Sequence, residues 1–462
     1  MSRIIRNPLK TTDEYQMENM VVHTSVMQPQ IASNNFVRYV LERRAILSGD
    51  SVLTLTAKPA TGNTATTLNM SLKCGVSSLV KNATLRSGNT IISRTQSWNR
   101  FKSTTNSFVS PEERSNKLFQ TQGVLSALRP SLQSDGRLNL KDAAYTAEDD
   151  ASTPAIQNLV NTPDFMIKVN ELFPALKNVD LPLGLMNENL VIELELEDIS
   201  STTQSLIKAQ NGYGGSLAMD YDYVGMNMLA DYLSYNDETN DMLSQQVMGQ
   251  GLQIPFHEVV TINSTLPAVT QPTVGNITQQ TSTSELALQG RVVNDIVMVV
   301  AGSNGLDAMA TPAPAVPASI NLKINDLNMY SNHVKLNSHK IVELEKSQGN
   351  PLFAHVAEYS NEVIADSSLP DHPITTPNEV LSGTFNGIAH NIKNLNGNSY
   401  AEGHSLMTDP LNGMGTMIGS KPIIYERILS RTNTDYQEKK LNFFCSVQKN
   451  FMLQRGQISV SV

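Results

Sequence analysis

The sequence has few cysteines and few charged residues, and both shortages exclude classes of protein. Its 462 residues include two cysteines, and charged residues make up 17% of the chain. Cys74 and Cys445 are far apart, so the sequence predicts neither a disulfide framework nor a zinc site. Unpaired cysteines are typical of proteins made in a reducing compartment, and we expect synthesis in the cytoplasm or the nucleus.

Long hydrophobic runs are also missing. The longest, residues 296–301 (IVMVVA), is much shorter than the ~20 residues that cross a bilayer as a helix. The opening stretch MSRIIRNPLK carries basic residues with no apolar region behind them, so we predict no secretory signal.

The charge balance excludes a strongly basic surface. Lys and Arg number 34 against 43 Asp and Glu, which gives a formal net charge of −9. Nucleic-acid-binding domains concentrate positive charge, so we predict no sequence-specific nucleic acid binding. Hydrophobic residues make up 40% of the chain, which is enough to build a core. The length exceeds one typical core and predicts two domains of roughly 200–250 residues each.

Alternating apolar and polar residues give the strongest local pattern. Residues 191–197 (VIELELE) alternate strictly, so their aliphatic side chains share one face of a strand and their glutamates share the other. Further strands are predicted at 36–41, 51–57, 82–86, 257–262, 295–300, 319–324, 442–447 and 457–462. Many short strands joined by polar turns predict an all-β fold of sandwiches or barrels.

Helical patterns are confined to short pieces. Residues 111–119 open with proline and acids, which suits a helix start. Residues 236–249 have an Asn or Asp cap and an acidic first turn, and we interpret them as a linker helix between two β domains. Long surface loops are predicted at 121–163, 303–317 and 384–421, where proline, glycine and polar residues dominate.

The candidate acidic groups have simpler structural interpretations. Glu193, Glu195 and Glu197 would need a partner carboxylate across a cleft to hydrolyse glycosides, and a solvated or interface-facing strand surface is the favoured interpretation. Asp220 and Asp222 form a DxD pattern that can hold a divalent cation. The tyrosines that alternate with them favour one polar face of a strand instead.

The remaining chemical motifs are absent or incomplete. The histidines are scattered without HxH, HxxH or HExxH spacing, so no zinc site is predicted. His333 and His339 are expected to be solvent-exposed in a loop. The glycine-rich stretch 413–421 (GMGTMIGSK) fits neither phosphate-loop pattern. We therefore predict no catalytic residue, no metal and no cofactor, and a protein that is not an enzyme.

Four stretches, taken in order along the chain, resemble one viral family. They are 79–99 (LVKNATLRSGNTIISRTQSWN), 172–198 (LFPALKNVDLPLGLMNENLVIELELED), 221–229 (YDYVGMNML) and 319–334 (SINLKINDLNMYSNHV). The set resembles the double jelly-roll major capsid proteins of the tectivirus–adenovirus lineage. It is most similar to those of nucleocytoplasmic large DNA viruses, polinton-like viruses and virophages. The first and last stretches share a strand–turn–strand layout, which agrees with an internal duplication.

The resemblance implies two consecutive eight-stranded jelly rolls joined by a short linker helix. The corresponding segments are an N-terminal arm at 1–34, a first jelly roll at 35–235, the linker helix at 236–253 and a second jelly roll at 254–462. The resemblance also implies a homotrimer of hexagonal outline that tiles the icosahedral capsid of a double-stranded DNA virus. Neighbouring capsomers, minor capsid and penton proteins and an internal membrane are the partners that it implies.

The N-terminal arm has two interpretations that the sequence leaves open. Arg3, Arg6 and Lys10 could contact an inner-face partner, because basic residues near anionic lipid gain ~1 kcal/mol each. The alternative is a disordered tail, because chain termini are often poorly ordered.

Two rival functions are also open. A minor capsid or vertex protein would have one jelly roll rather than two. A β-sandwich carbohydrate-binding protein or glycosidase would need aromatic platforms, whereas aromatics make up 6% of the chain and Trp98 is its single tryptophan.

Overall fold

The computed structural model describes most of the predicted β regions. The described residues are 21–59, 67–70, 75–106, 117–122, 138–141, 165–177, 180–197, 207–210, 217–218, 221–302, 317–335, 337–347, 400–408, 415–433 and 436–461. Arg3, Arg6, Lys10, Cys74 and Asp220 lie outside this set, as do most of the predicted helix 111–119 and the loop 303–317.

Within the described residues, fourteen strands lie before the linker helix. They are β1 (Val21–Met27), β2 (Ile31–Ala32), β3 (Phe36–Val40), β4 (Ile46–Leu47), β5 (Val52–Pro59), β6 (Thr67–Met70), β7 (Val80–Ser87), β8 (Thr90–Thr95), β9 (Leu138–Lys141), β10 (Phe165–Lys168), β11 (Leu190–Leu196), β12 (Ile207–Gln210), β13 (Leu217–Ala218) and β14 (Tyr221–Ser234).

Ten strands follow the linker helix in the part of the chain that the structure describes. They are β15 (Leu252–Leu266), β16 (Thr278–Leu286), β17 (Val292–Gly302), β18 (Pro317–Ile324), β19 (Leu327–Asn328), β20 (Tyr400–Ser405), β21 (Thr416–Met417), β22 (Ile423–Arg431), β23 (Lys439–Gln454) and β24 (Gln457–Ser461).

Helices are short and few in the described part of the chain. The α-helices are α1 (Trp98–Asn106), α2 (Phe119–Gln122), α3 (Val169–Leu172), α4 (Asp237–Met248) and α5 (Asn337–Ser347), and single 3₁₀ turns span Gly75–Leu79, Pro174–Leu176 and Leu183–Leu185. The all-β prediction is therefore confirmed.

The first half of the chain forms two main antiparallel sheets and a smaller one. One sheet has the order β1-β14-β5-β10, with β4 also paired to β14, and the other has the order β2-β3-β11-β7-β8. A four-stranded sheet, β13-β12-β6-β9, was not predicted. Buried side chains of the two main sheets form one hydrophobic cluster, which we call the first core.

The second half forms a two-sheet sandwich. Its six-stranded sheet has the order β15-β23-β17-β20, with β21 paired to β17 and β24 paired to β23, and the opposing sheet has the order β16-β22-β18-β19. Side chains between them form the second core, with Phe443, Cys445 and Tyr425 among its members. Within the described residues, every sheet draws its strands from one half of the chain.

Strand β11 illustrates why the alternating pattern forms a central strand. It pairs with β3 on one side and β7 on the other. Ile192, Leu194 and Leu196 are buried in the first core. On the opposite face, Glu193 bonds to Arg86 at 2.7 Å and Glu195 is exposed.

The sequence predicted that the three glutamates of this pattern lie on a solvated or interface-facing strand surface. This prediction is wrong for Glu197, which is buried. Its side chain is 5% exposed and lies 3.3 Å from the Arg100 guanidinium. Asn99 Nδ2 also donates to Glu197 Oε2 at 2.6 Å. The end of β11 is buried because α1 covers it, and paired hydrogen bonds make this burial tolerable.

Several elements were missed. Strands β1 and β2 lie inside the predicted arm 1–34, where no strand pattern was assigned, and β1 pairs with β14 along its whole length. Strands β20 and β21 lie inside the predicted loop 384–421 and pair with β17. Helix α5 places His339 on a helix rather than in a loop.

The predicted linker helix is α4. Asn236 is its N-cap, and its side-chain oxygen accepts a hydrogen bond from the backbone N–H of Thr239 at 3.0 Å. Thr239, Leu243 and Val247 are the buried face of the helix. The cap and the acidic first turn together explain where the helix begins.

Removing the cap is expected to destabilise the protein modestly. Asn236→Ala leaves the N–H of Thr239 without its acceptor and should lower the free energy of unfolding by about 1 kcal/mol. Urea unfolding measures this. The matched control is Asn240→Ala on the same helix, whose side chain bonds to the Tyr235 carbonyl at an exposed position. A loss at Asn240 equal to that at Asn236 would contradict the capping role.

Candidate functional site

The two halves of the chain meet along the ribbon formed by β15 and β23. These strands pair over their full length, from Leu252 opposite Leu453 to Leu266 opposite Lys439. Leu252, Ile254 and Phe256 are buried in the first core, although they follow the linker helix. We call the contact between this ribbon and the first half the junction.

Strand β23 serves both cores. Phe443 and Cys445 lie in the second core, and Phe451 and Leu453, on the same face of the strand, lie in the first core. The pairing with β15 has no register shift, so this face is continuous. A single strand therefore ties the two hydrophobic clusters together.

The opposite face of β23 is covered as well. Residues 441–445 are all buried, which is the pattern of a strand with both faces packed. Phe444 contacts Phe101 of α1 with ring centroids 5.5 Å apart. The outer face of β23 thus contacts the first half at Phe444.

A buried ion pair lies on the other face of the ribbon, the face that carries Cys445 and Phe451. The side chain of Glu258 in β15 is 5% exposed and pairs with Lys449 of β23. Its Oε1 atom also accepts a hydrogen bond from the backbone N–H of Arg94 in β8 at 2.8 Å. One carboxylate therefore links a β15–β23 pair to an edge strand of the first half, with both oxygens used.

The β23–β24 turn docks on the first half and on the linker helix. Arg455 and Gly456 have φ values of 51° and 75°, as expected for a two-residue hairpin turn. The backbone N–H of Asn187 donates to the Gly456 carbonyl at 2.8 Å, and the N–H of Arg455 donates to the Val247 carbonyl at 3.0 Å. A Cβ at position 456 would lie 2.3 Å from Asn187 Oδ1, so glycine is required both by φ and by space.

A buried polar chain lies in the second half. The hydroxyl group of Tyr330 donates its hydrogen to Glu343 Oε2 at 2.9 Å. The hydroxyl oxygen of Tyr330 also lies 2.7 Å from His404 Nδ1. His404 Nε2 lies 3.0 Å from the hydroxyl of Tyr425. Because a phenol has one hydrogen, Tyr330 accepts from Nδ1–H, and in the neutral imidazole Nε2 then accepts from Tyr425.

This polar chain holds α5 against the sandwich. Burial alone would raise the pKa of Glu343, but hydrogen bonds from Lys346 and Tyr330 outweigh it and hold that pKa below its usual value. Burial raises the pKa of Tyr330. His404 is fully buried, so it has no access to a substrate. The arrangement is a structural tether rather than a catalytic one.

Asp295 is a second titratable group of this sheet. It follows an irregularity in the β17–β23 pairing between Val293 and Asp295. Burial raises its pKa to about 7, although the Ser405 hydroxyl opposes this by hydrogen bonding to the carboxylate. The buried Oδ1 atom has no hydrogen-bond partner within the described residues.

Asp295 is expected to make stability depend on pH. The unfolded carboxyl, with a pKa of 3.8, releases its proton before the folded one, so the free energy of unfolding falls as pH rises from about 4 to 7. Asp295→Asn should abolish this decline, which is at most about 4 kcal/mol. Urea unfolding across this pH range measures it.

An exposed aspartate provides the control for that experiment. Asp326 pairs with Lys421, and both side chains are more than half exposed. Asp326→Asn should change stability by less than about 1 kcal/mol and leave the decline in place. A decline that persists in Asp295→Asn would contradict the assignment.

The remaining sequence candidates do not converge on a chemical site. Gly415 and Gly419 of the glycine-rich stretch lie tight against Asn294 and Asn325, so close packing explains them. Burial raises the pKa of the Cys445 thiol to about 12, which makes it unreactive. Within the described residues, no group of three or more His, Cys, Asp or Glu could hold a metal ion. No helix there is long and apolar enough to cross a membrane.

Comparison with known proteins identifies the fold. Neither a protein-family model nor a curated protein matches the sequence. Solved structures do match, among them the quasi-atomic model of the PBCV-1 virus capsid, at a TM-score of 0.55 and 10% identity over 98% of this chain and 99% of that chain. The match to the mavirus major capsid protein has a TM-score of 0.50 and 10% identity over 98% of this chain and 92% of that chain.

A third viral structure agrees with these two. The structure of the Sputnik virophage matches at a TM-score of 0.51 and 10% identity over 96% of this chain and 88% of that chain. Each likeness extends over nearly the whole chain, both before and after the linker helix. The fold is that of the double jelly-roll capsid proteins, which confirms the fold expected from the resemblance.

Proposed function

We propose that this chain is the major capsid protein of a double-stranded DNA virus. The observation that carries the proposal is the fold likeness to capsid proteins over 96–98% of the chain. A likeness confined to one sandwich would fit many β proteins, whereas this one includes both sandwiches and the segment between them. Function is inferred from fold here, and the geometry of the junction gives independent support.

The junction suits a rigid building unit. Phe451 and Leu453 join the first core while Phe443 joins the second, so the two sandwiches cannot separate without exposing buried apolar surface. Glu258, bonded to Lys449 and to the N–H of Arg94, adds a directional constraint. A shell subunit needs this property, because neighbouring copies must meet at a constant angle.

The proposed working unit is a homotrimer. Three copies of a two-sandwich chain present six sandwiches, which approximate a hexagon and can tile an icosahedral shell beside neighbouring capsomers. The proposed segments are the arm at 1–34, jelly rolls at 35–235 and 254–462, and the linker at 236–253. We propose a virion location after assembly in the host cytoplasm or nucleus, with minor capsid and penton proteins as further partners.

The N-terminal residues are assigned to the inner face of the shell in this proposal. Arg3, Arg6 and Lys10 would contact a minor protein, a neighbouring capsomer or an internal membrane. The chain itself would have a structural and not an enzymatic role, which is supported by the complete burial of His404 in the polar chain.

The oligomeric state of the purified full chain tests the proposal. Mass photometry should give a species at three times the chain mass of 50.6 kDa, and electron microscopy should give particles of hexagonal outline. A stable monomer at every concentration would overturn the proposal. Specific binding on a glycan array would instead favour the carbohydrate-binding alternative.

A further inference from the structure

Strand β17 contains a β-bulge beside Asp295. The β17–β23 pairing shifts register between Val293 and Asp295, so Asn294 is an extra residue in the strand. Val293 and Ile296 both lie in the second core. Because side chains alternate along a strand, the extra residue places Asp295 on the opposite face.

The residues that lie directly opposite Asp295 are uncharged. They are Ser405 of β20 on one side and Ser446 of β23 on the other. The Ser405 hydroxyl bonds to the carboxylate, but the buried Oδ1 atom has no partner within the described residues. A buried charge without full hydrogen bonding is costly, so the closed pairing favours the neutral carboxyl group.

Within the part of the chain that the structure describes, no neighbouring charge accounts for the raised pKa of Asp295. Burial raises it and the Ser405 hydrogen bond opposes the rise. Helix α5 packs against β17 and β20, but its Glu343 is bonded to Lys346. His404 precedes Ser405 and therefore lies on the other face of β20. The titratable and charged residues of α5, β20 and β23 are His339, Lys340, Glu343, Glu345, Lys346, Tyr400, Glu402, His404, Lys439, Lys440, Cys445 and Lys449.

Of the two strands beside Asp295, β20 is the easier one to displace. Strand β23 pairs with β17 from Val292 to Gly302 and is itself paired with β15. Strand β20 is at the end of the sheet order, and Ser405 is its last residue. The end of an outer strand opens at a lower free energy than a central strand, so water would reach the carboxyl group from the β20 side.

We propose that the contact between the end of β20 and β17 is a pH-dependent device. It is closed while Asp295 is protonated and opens locally when Asp295 is ionised, which admits water to the carboxylate. The N–H of Leu406, which donates to the Asn294 carbonyl at 2.6 Å, is released in the same step. The proposal concerns this sheet alone and does not depend on the capsid role.

The direction of the pH dependence follows from the two states of the carboxyl group. In the closed contact its pKa is raised to about 7, and a hydrated carboxyl group returns towards the ordinary value of 3.8. The opened state therefore releases its proton at lower pH than the closed state. The opening constant rises between about pH 4 and pH 7 and is level above that range, so the contact is tightest in acid.

Hydrogen–deuterium exchange of the full chain, corrected for the intrinsic pH dependence of exchange, measures this opening. Peptides that cover β20 and Leu406 should lose protection at least tenfold between pH 5 and pH 7. Strand β24 is the matched control, because it pairs with β23 alone in the described sheet and its opening leaves Asp295 buried. Its protection should change less than threefold. Equal protection of β20 and the central strand β23 would show that the opening is not local and would overturn the proposal.

Two substitutions assign the effect to Asp295. Asp295→Asn should reduce the change in β20 protection to less than twofold, whereas Asp326→Asn, at an exposed aspartate, should leave the tenfold change in place. His404 still titrates in Asp295→Asn, so a change that persists there belongs to another group and overturns the proposal.

Ser405→Ala gives a second test if Asp295→Asn does not fold. It removes the hydroxyl that opposes the rise in the pKa of Asp295, so the pKa of the closed contact should rise further. The loss of β20 protection should then continue above pH 7 instead of levelling off. A loss that still ends at pH 7 contradicts the proposed contact between Ser405 and the carboxylate.

Discussion

Replacing Phe451 with alanine is expected to lower the free energy of unfolding by about 3–5 kcal/mol. Phe451 is 3% exposed and belongs to the first core, although it lies on β23 of the second half. The change leaves a cavity at the junction, so the two halves should lose their mutual support. We expect the unaltered protein to unfold in one urea transition and Phe451→Ala to unfold in two.

Phe443→Ala is the matched control for this experiment. Phe443 is a fully buried phenylalanine of the same strand, but it lies in the second core. Its loss should be of similar size, about 3–5 kcal/mol, and should affect the second half without uncoupling the first. If the urea transitions of the two halves separate equally in Phe443→Ala and Phe451→Ala, the junction has no special role in coupling the halves.

Glu258→Ala is the second change with a large expected effect. It removes the partner of Lys449 and the acceptor for the N–H of Arg94. Breaking a buried ion pair from one side costs up to about 3–5 kcal/mol, and the 19% exposure of the Lys449 side chain places the expected loss in the lower part of that range. Urea and thermal unfolding at neutral pH measure the loss.

A more exposed ion pair of the second half gives the comparison. Glu426 pairs with Lys323 at 3.1 Å, and their side chains are 22% and 35% exposed. Glu426→Ala should cost about 0–1 kcal/mol, because water screens the pair. An equal loss in the free energy of unfolding for Glu258→Ala and Glu426→Ala would show that the burial of the Glu258 pair does not increase its contribution to stability.

Strands with a clear alternating pattern could be predicted from sequence. The prediction 191–197 corresponds to β11, and 319–324 corresponds to β18. Both strands have one face in a core and one polar face, so apolar and polar residues alternate along their sequences. Helix α4 was also predictable, because its start depends on a local cap at Asn236.

Elements that depend on distant contacts could not be predicted in this way. Strand β20 contains glycine, histidine and glutamate and forms because β17 offers it an edge. Strand β1 has apolar residues on both faces, so no alternation identifies it. In both cases the partner strand decides the conformation, which local propensity does not encode.

The junction could not be predicted from the sequence either. Glu258 and Lys449 are far apart along the chain and become partners only through the β15–β23 register.

The burial of Arg431 could not be predicted either. Arg431 is fully buried, with its guanidinium bonded to Gln280 and to the Gln437 carbonyl. Charged residues are normally expected at the surface, so composition alone predicts the opposite location.

The shared use of β23 has a consequence for how the protein reaches its native state. The first core includes Phe451 and Leu453, which leave the ribosome long after the strands they cover. The first half is synthesised before β23, so part of its apolar surface stays exposed until β23 has been translated. Pairings of such long sequence separation form slowly, and the nascent chain would depend on chaperones during this interval.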